Sequence, residues 1–358
     1  MKPSAILSRT AALVAGIVGA LLLLEAVLRV LPVLSGTYAA DPRATWPIHT
    51  MIPNTRYTYS TGWNLQNIHR GRINNYGYAS PNDYAPGRGG IAVFGDSYVE
   101  ALMNDYADTL QGSLNDYLKT PRKIMSFGMS GAEMPDYLGT AALVRDRFAP
   151  DWAVIVITLG DFTHGFAATP GYFEWAPDRA PPIRLKPEIH RSATSKWMRT
   201  IAVIRYLRGN LSMRPDELIR LRRGSDAAAG TGKCQPEVLS KEDEGLLEGY
   251  AKALAPAAGV PPGHVILIFD SDRKAIYAGQ SAAERQGCPQ RATLANDRLK
   301  ELAAQSGLHV IDSEPVFRRH YSAGLGPVDR SPIDAHWNPT AHRLMAQEVA
   351  RIIDPAQF

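Results

Sequence analysis

The stretch IAVFGDSYVEA, residues 91–101, runs from an apolar, strand-like segment into Gly95-Asp96-Ser97 and out again towards a helix. A serine at the end of a strand is either a nucleophile or the N-cap of the helix that follows. The choice turns on what else gathers at the same end of the fold.

Outward from this stretch, apolar runs alternate with helical spacing. KIMSFG (123–128), DWAVIVITLG (151–160), HVILIFD (264–270) and LHVIDS (308–313) read as four further strands. Helices are expected over 105–118, where Leu110, Leu114 and Leu118 share a face, and over 134–147, 293–306 and 339–353. Strands alternating with helices predict an α/β domain over residues 91–358, with a parallel five-stranded sheet covered on both faces. One stretch breaks the alternation. Residues 166–262 hold a Pro-rich loop, a basic helical patch, a Gly/Ala linker and a short helix, and read as an insertion, either a solvated excursion or a lid. The Arg/Lys face at 191–223 suits plain solvation, or docking to anionic lipid headgroups or an acidic glycan. Residues 35–90 read as a linker followed by short edge strands and turns rich in Tyr, Asn and Gly.

At the front of the chain, Lys2 and Arg9 precede AALVAGIVGALLLL (11–24), which carries no charge. The apolar pattern resumes after Glu25, and Glu25 and Arg29 are placed to pair on one helix face. Read through to Leu34, the segment is roughly 36 Å long at about 1.5 Å per residue, enough to cross a bilayer. Residues 1–34 are therefore expected to be an uncleaved signal anchor with the N-terminus in the cytoplasm, at the inner membrane, and the body on the periplasmic side. A cleaved signal would export the body equally. The 358 residues have 45% hydrophobic and 21% charged content and a net charge of +4, which fits a globular body and gives no argument for nucleic acid. The two cysteines, Cys234 and Cys288, are candidates for a disulfide in an oxidising compartment, or two separate thiols.

In open parallel sheets, ligands bind at the carboxyl ends of the strands. Ser97 follows the first strand, Gly131 the second, and Gly160-Asp161 the third. DAHWNPTAH (334–342) places Asp334 and His336 just before the last helix. A serine nucleophile needs a base, a carboxylate to orient it, and donors for the oxyanion. His336 can be the base and Asp334 its partner, with the Ser97 and Gly131 N–H groups facing the oxyanion, helped by a helix dipole if Ser97 starts a helix. Asp96 and Asp161 read as turn formers and His342 as a packing or capping residue. No metal site is expected, because no ligand spacing supports one.

GDS at 95–97, SG at 130–131, LGDF at 159–162 and DAHWNPTAH at 334–342, in that order, resemble the SGNH (GDSL-type) hydrolase and acyltransferase family, in its membrane-anchored branch. The resemblance covers about 70–165 and 264–353. It implies a flavodoxin-like three-layer α/β/α sandwich, a Ser97–His336–Asp334 triad and an oxyanion hole at Ser97 and Gly131. The activity it implies is a cofactor-free serine esterase or O-acyltransferase acting on a small acyl ester, best an acetyl ester, with a polysaccharide as a reasonable partner. One position departs. The family's third block carries an asparagine whose side-chain amide is the third oxyanion donor, and here that position is Gly160. The departure also admits a catalytically weak or inactive glycan-binding or assembly protein of the same fold.

Overall fold

The structure, a computed structural model, describes residues 3–40, 46–164, 172–186, 192–213, 237–280, 290–330 and 334–358. Cys234 and Cys288 lie outside the described residues, as do the two ends of the Pro-rich loop and the second half of the basic patch. The chain divides into two compact units. One comprises Met1–Tyr38, Arg56–Arg70 and His190–Gly230, and the other Ala39–Thr55, Gly71–Ile189 and Thr231–Phe358.

In the first unit, helix α1 (Pro3–Val30) continues unbroken through Glu25. Its Arg9–Val30 segment is long and apolar enough to cross a membrane, and only 6% of that segment's most apolar window is buried. The Arg29 guanidinium donates to Glu25 at 2.8 Å, the pairing expected four residues apart. Strands β1 (Arg56–Thr61) and β2 (Gln66–Arg72) form a sheet of their own. Leu28, Val33, Leu65 and Ala202 make a small core. Asn210 ties it down: its side-chain oxygen accepts the Leu34 N–H, and its amide donates to the carbonyl and hydroxyl of Ser60.

The second unit holds the parallel sheet: β3 (Ile91–Gly95), β4 (Ile124–Gly128), β5 (Trp152–Ile157), β8 (Val265–Phe269) and β9 (His309–Asp312), in the order β4-β3-β5-β8-β9. The hairpin strands β6 (Phe173–Trp175) and β7 (Ile183–Leu185) pair separately. Successive side chains of a strand point to opposite faces, and both faces are dry, which is why these strands read as continuous apolar runs. Ile91, Val93, Val154, Val156, Ile266 and Ile268 join Leu110, Leu114, Met345 and Val349 on one side. On the other side lie α4 (Met134–Phe148) and the helices Lys241–Ala258 and Arg291–Gln305. The result is the expected three-layer α/β/α sandwich.

One expectation needs correction. The helix expected over 105–118 is broken into a 3-10 turn (Tyr106–Asp108), a single α turn, α3 (Leu110–Ser113), and another 3-10 turn. Thr109 is extended, and its hydroxyl accepts the Gly112 N–H at 3.1 Å, so it caps a new start instead of continuing the helix. Within the stretch 166–262, residues 192–213 group with the first unit, and the 18-residue helix Lys241–Ala258 buries Leu247, Tyr250 and Leu254 as a layer of the sandwich. Part of the expected linker is core as well: Trp46, at 2% exposure, meets Tyr76, Tyr78, Phe127 and Phe148.

Candidate active site

The strand order changes direction between β3 and β5, and loops at such a switch point splay apart to leave a crevice. The loops after β4, β3 and β5 lie side by side there. The Gly95–Gly128 register brings the first two together, and the Met129 N–H donates to the Gly95 carbonyl at 3.1 Å. Helix α2 (Ser97–Glu100) begins at the serine itself. Asp96 is its N-cap, accepting the Tyr98 N–H at 2.8 Å, and burial pushes the Asp96 carboxyl upward. Because α2 has one turn only, its dipole adds little. The turn packs directly on β4: a Cβ at Gly128 would lie 2.2 Å from the Glu100 nitrogen, so only glycine fits.

Asp334 and His336 stand on β11 (Asp334–Trp337), which pairs antiparallel with β10 (Asp329–Arg330). His336 Nε2 lies 2.7 Å from Ser97 Oγ, and its Nδ1 lies 2.5 Å from Asp334 Oδ1. The Asp334 carboxylate can only accept, so Nδ1 carries the proton and Nε2 accepts from the serine hydroxyl. The same Asp334 oxygen accepts the His336 backbone N–H at 3.0 Å, which holds the two-residue turn. Ser97, His336 and Asp334 are thus one hydrogen-bonded chain.

Gly131 has φ +80°, a backbone that favours glycine. The N–H groups of Ser97 and Gly131 make no hydrogen bond to the described residues. Gly160 opens the short helix α5 (Gly160–His164), outside the left-handed region, and a Cβ there would meet nothing nearer than Thr158 Oγ1 at 3.9 Å. The neighbouring Asp161 is buried and pins the turn, accepting from the Thr158 N–H and hydroxyl and from the Tyr137 hydroxyl; burial holds its pKa well above the usual carboxylate range. His342 is a packing residue. Burial pushes it down to about 3, and its Nδ1 accepts the Leu110 N–H.

Four residues escaped the sequence reading: Arg273, Tyr98, Glu100 and Tyr172. Arg273, at 7% exposure, donates to the Ala335 carbonyl, between Asp334 and His336, at 2.6 Å and to the Tyr98 hydroxyl at 2.7 Å. It also pairs with Asp270 and, at 3.2 Å, with Asp329. Tyr98 donates to the same carbonyl at 3.1 Å and lays its ring 4.9 Å from that of His336. Glu100 is buried and accepts the hydroxyl of Ser130, the residue before Gly131; burial pushes its pKa up to about 7. Tyr172 donates to the Ser130 carbonyl at 3.2 Å, and its hydroxyl stands over Gly131. FDSDR after the fourth strand was the one visible signal, since a polar cluster at a strand end points at the crevice.

No protein-family model matches the sequence, and no curated protein matches it. Among solved structures, the chain is similar to a member of the lipolytic protein G-D-S-L family from Veillonella parvula DSM 2008 (13% identity, 76% of this chain and 100% of that one, TM-score 0.37). It is also similar to LAE5, an alpha/beta hydrolase enzyme from the metagenome of Lake Arreo, Spain (16% identity, 76% and 96%, TM-score 0.38). A third is a catalytic mutant of Axe2, an acetylxylan esterase from Geobacillus stearothermophilus (12% identity, 76% and 96%, TM-score 0.38). The functional reading rests on the side chains of the site.

Proposed function

We propose that the protein is a serine esterase or O-acyltransferase that forms an acyl-Ser97 intermediate. The observation that carries this reading is the Asp334–His336–Ser97 chain at 2.5 and 2.7 Å. His336 Nε2 takes the Ser97 proton as Oγ attacks the ester carbonyl, and Asp334 holds the imidazole in the tautomer that can accept it. The negative oxygen of the tetrahedral intermediate is met by the free N–H groups of Ser97 and Gly131. His336 then returns the proton to the departing alcohol. A second acceptor, water or a hydroxyl, repeats the sequence in reverse. An acetyl ester of a carbohydrate is the favoured substrate, on the resemblance to the SGNH family. On the same reading α1 is a membrane span and the second unit works outside the cytoplasm. The vacant third donor position at Gly160 suits slow turnover, and with it a transferase as well as a hydrolase.

The test is covalent labelling with a fluorophosphonate, located by mass spectrometry, alongside hydrolysis of p-nitrophenyl acetate. The label is expected on Ser97 alone and is expected to vanish in His336→Ala. A folded protein that takes no label, or takes it on another serine, sinks the proposal.

A further inference from the structure

Charge is distributed unevenly in the first unit. Beyond α1, its described residues carry Arg56, Arg70, Lys196, Arg199, Arg205 and Arg208, and no aspartate or glutamate. Arg56, Arg70, Lys196 and Arg208 are exposed. The same segments expose Trp63 at 76% and Trp197 at 64%, and also Ile68, Leu207 and Met213. Solvation alone gives no reason for two exposed indole rings among these described cations. Tryptophan with lysine and arginine is the composition of a membrane–water interface, where the ring sits at headgroup depth and the cation meets phosphate.

Geometry within the unit places these segments at that depth. Both oxygens of the Glu25 carboxylate are used: one accepts the N–H of Ala202 and the other that of Val203, each at 3.0 Å. These are the first residues of α7 (Ala202–Arg205), so the segment that also holds α6 (Ala193–Met198) packs beside residue 25 of α1. Residues 10–24 carry no charge and cover about 22 Å at 1.5 Å per residue. A hydrocarbon core about 30 Å thick takes about 20 residues, so a bilayer crossed by α1 with one boundary near Arg9 has the other near Arg29, one turn past Glu25. The contacts between Glu25 and α7 then fall within about a turn of the edge of the core, with the carboxylate satisfied by the two helix N–H groups.

We infer that residues 56–70 and 192–213 form a collar that lies in the headgroup layer of an anionic membrane, with Trp63 and Trp197 at the interface and the exposed cations against lipid phosphates. The inference rests on the reading of α1 as a membrane span. It adds a specific lipid chemistry and a second point of attachment, distinct from the helix.

Tryptophan fluorescence of the full chain in nanodiscs tests this directly. Helix α1 contains no tryptophan, and the other four of the six (Trp46, Trp152, Trp175, Trp337) belong to the second unit. Nanodiscs are made with phosphatidylcholine alone or mixed with phosphatidylglycerol, each with acyl chains brominated near the headgroup. Bromine is expected to quench the wild-type protein, and Trp63→Phe/Trp197→Phe is expected to lose most of that quenching. Replacing Arg56, Arg70, Lys196 and Arg208 together by Gln is expected to remove the extra quenching on the anionic discs at low salt. Quenching that survives the double Trp replacement, or is absent, overturns the collar. Equal quenching on both lipids overturns the charge recognition. Release of the full chain from vesicles by alkaline carbonate removes the span itself, and the collar with it, a result distinct from a chain that stays inserted with unquenched indoles.

Discussion

The two units handle charge in opposite ways. In the second, the charges that matter are buried and closed on partners: Arg273 with Asp270 and Asp329, Glu100 with Ser130, and Asp161 with Thr158 and Tyr137. In the first, beyond α1, the described residues include six cations and no aspartate or glutamate, and four of the cations are exposed. Buried charge fixes positions, because a displaced partner leaves an unsatisfied ion in a low dielectric. Exposed charge of one sign fixes nothing inside the unit, and acts on what approaches from outside.

That contrast breaks most visibly at the serine. Ser97→Ala is expected to lower kcat for p-nitrophenyl acetate by about 10⁴-fold or more while the melting temperature stays nearly unchanged. Full activity in this variant would move the nucleophile elsewhere. Next in size is Arg273→Met, which strands Asp270 and Asp329 and should cost about 3–5 kcal/mol in denaturant unfolding, with little dependence on salt. Arg273→Lys keeps the charge but not the fork that reaches both Ala335 and Tyr98. It should lower kcat with KM held, and a variant that only melts earlier would reduce Arg273 to a structural role.

Glu100 sharpens the contrast through pH. Its pKa, pushed up to about 7 by burial, lies above the ordinary value of 4.5. Below pH 4.5 both states hold the proton. Between 4.5 and 7 the unfolded chain releases a proton that the folded protein keeps, so stability falls as pH rises, by up to about 3 kcal/mol above pH 7. Glu100→Gln should flatten that slope in melting curves taken from pH 5 to 8, and an unchanged slope would show that Glu100 is already ionised. Gly160→Asn should raise kcat a few-fold, well under the roughly hundredfold cost of removing a donor from an optimised site. Gly160 has neither the backbone nor the neighbours to obstruct the new side chain. If a folded variant shows no gain, another group already serves that position. The smallest effect is expected from neutralising Arg56, Arg70, Lys196 and Arg208, which should shift unfolding in detergent by no more than about 0.5 kcal/mol.

The sheet was legible because five buried strands leave a strong signal in any sequence: short apolar runs with helical spacing between them. The Ser97–His336–Asp334 chain was legible through motif order, which places Ser97 at a strand end and Asp334 and His336 just before the last helix. Arg273 was not, because its role comes from contact with Ala335, 62 positions away, and no local pattern encodes that. The leucines at 110, 114 and 118 suggested a single helix because burial alone sets their spacing. Helical turns with a break at Thr109 bury the same three side chains. The helix Lys241–Ala258 was read as part of an insertion because polar segments flank it, although its Leu247, Tyr250 and Leu254 carry a core face.

The spacing of the three site residues along the chain has a consequence for folding. Asp334 and His336 close a contact across two residues, at almost no loop entropy, whereas Ser97 and His336 are separated by 239. A refolding chain is expected to form the acid–base pair early and to meet its serine only when β3, β5 and β8 have assembled. Recovery of fluorophosphonate reactivity would then act as a clock for the last long-range closure, later than the return of helical signal.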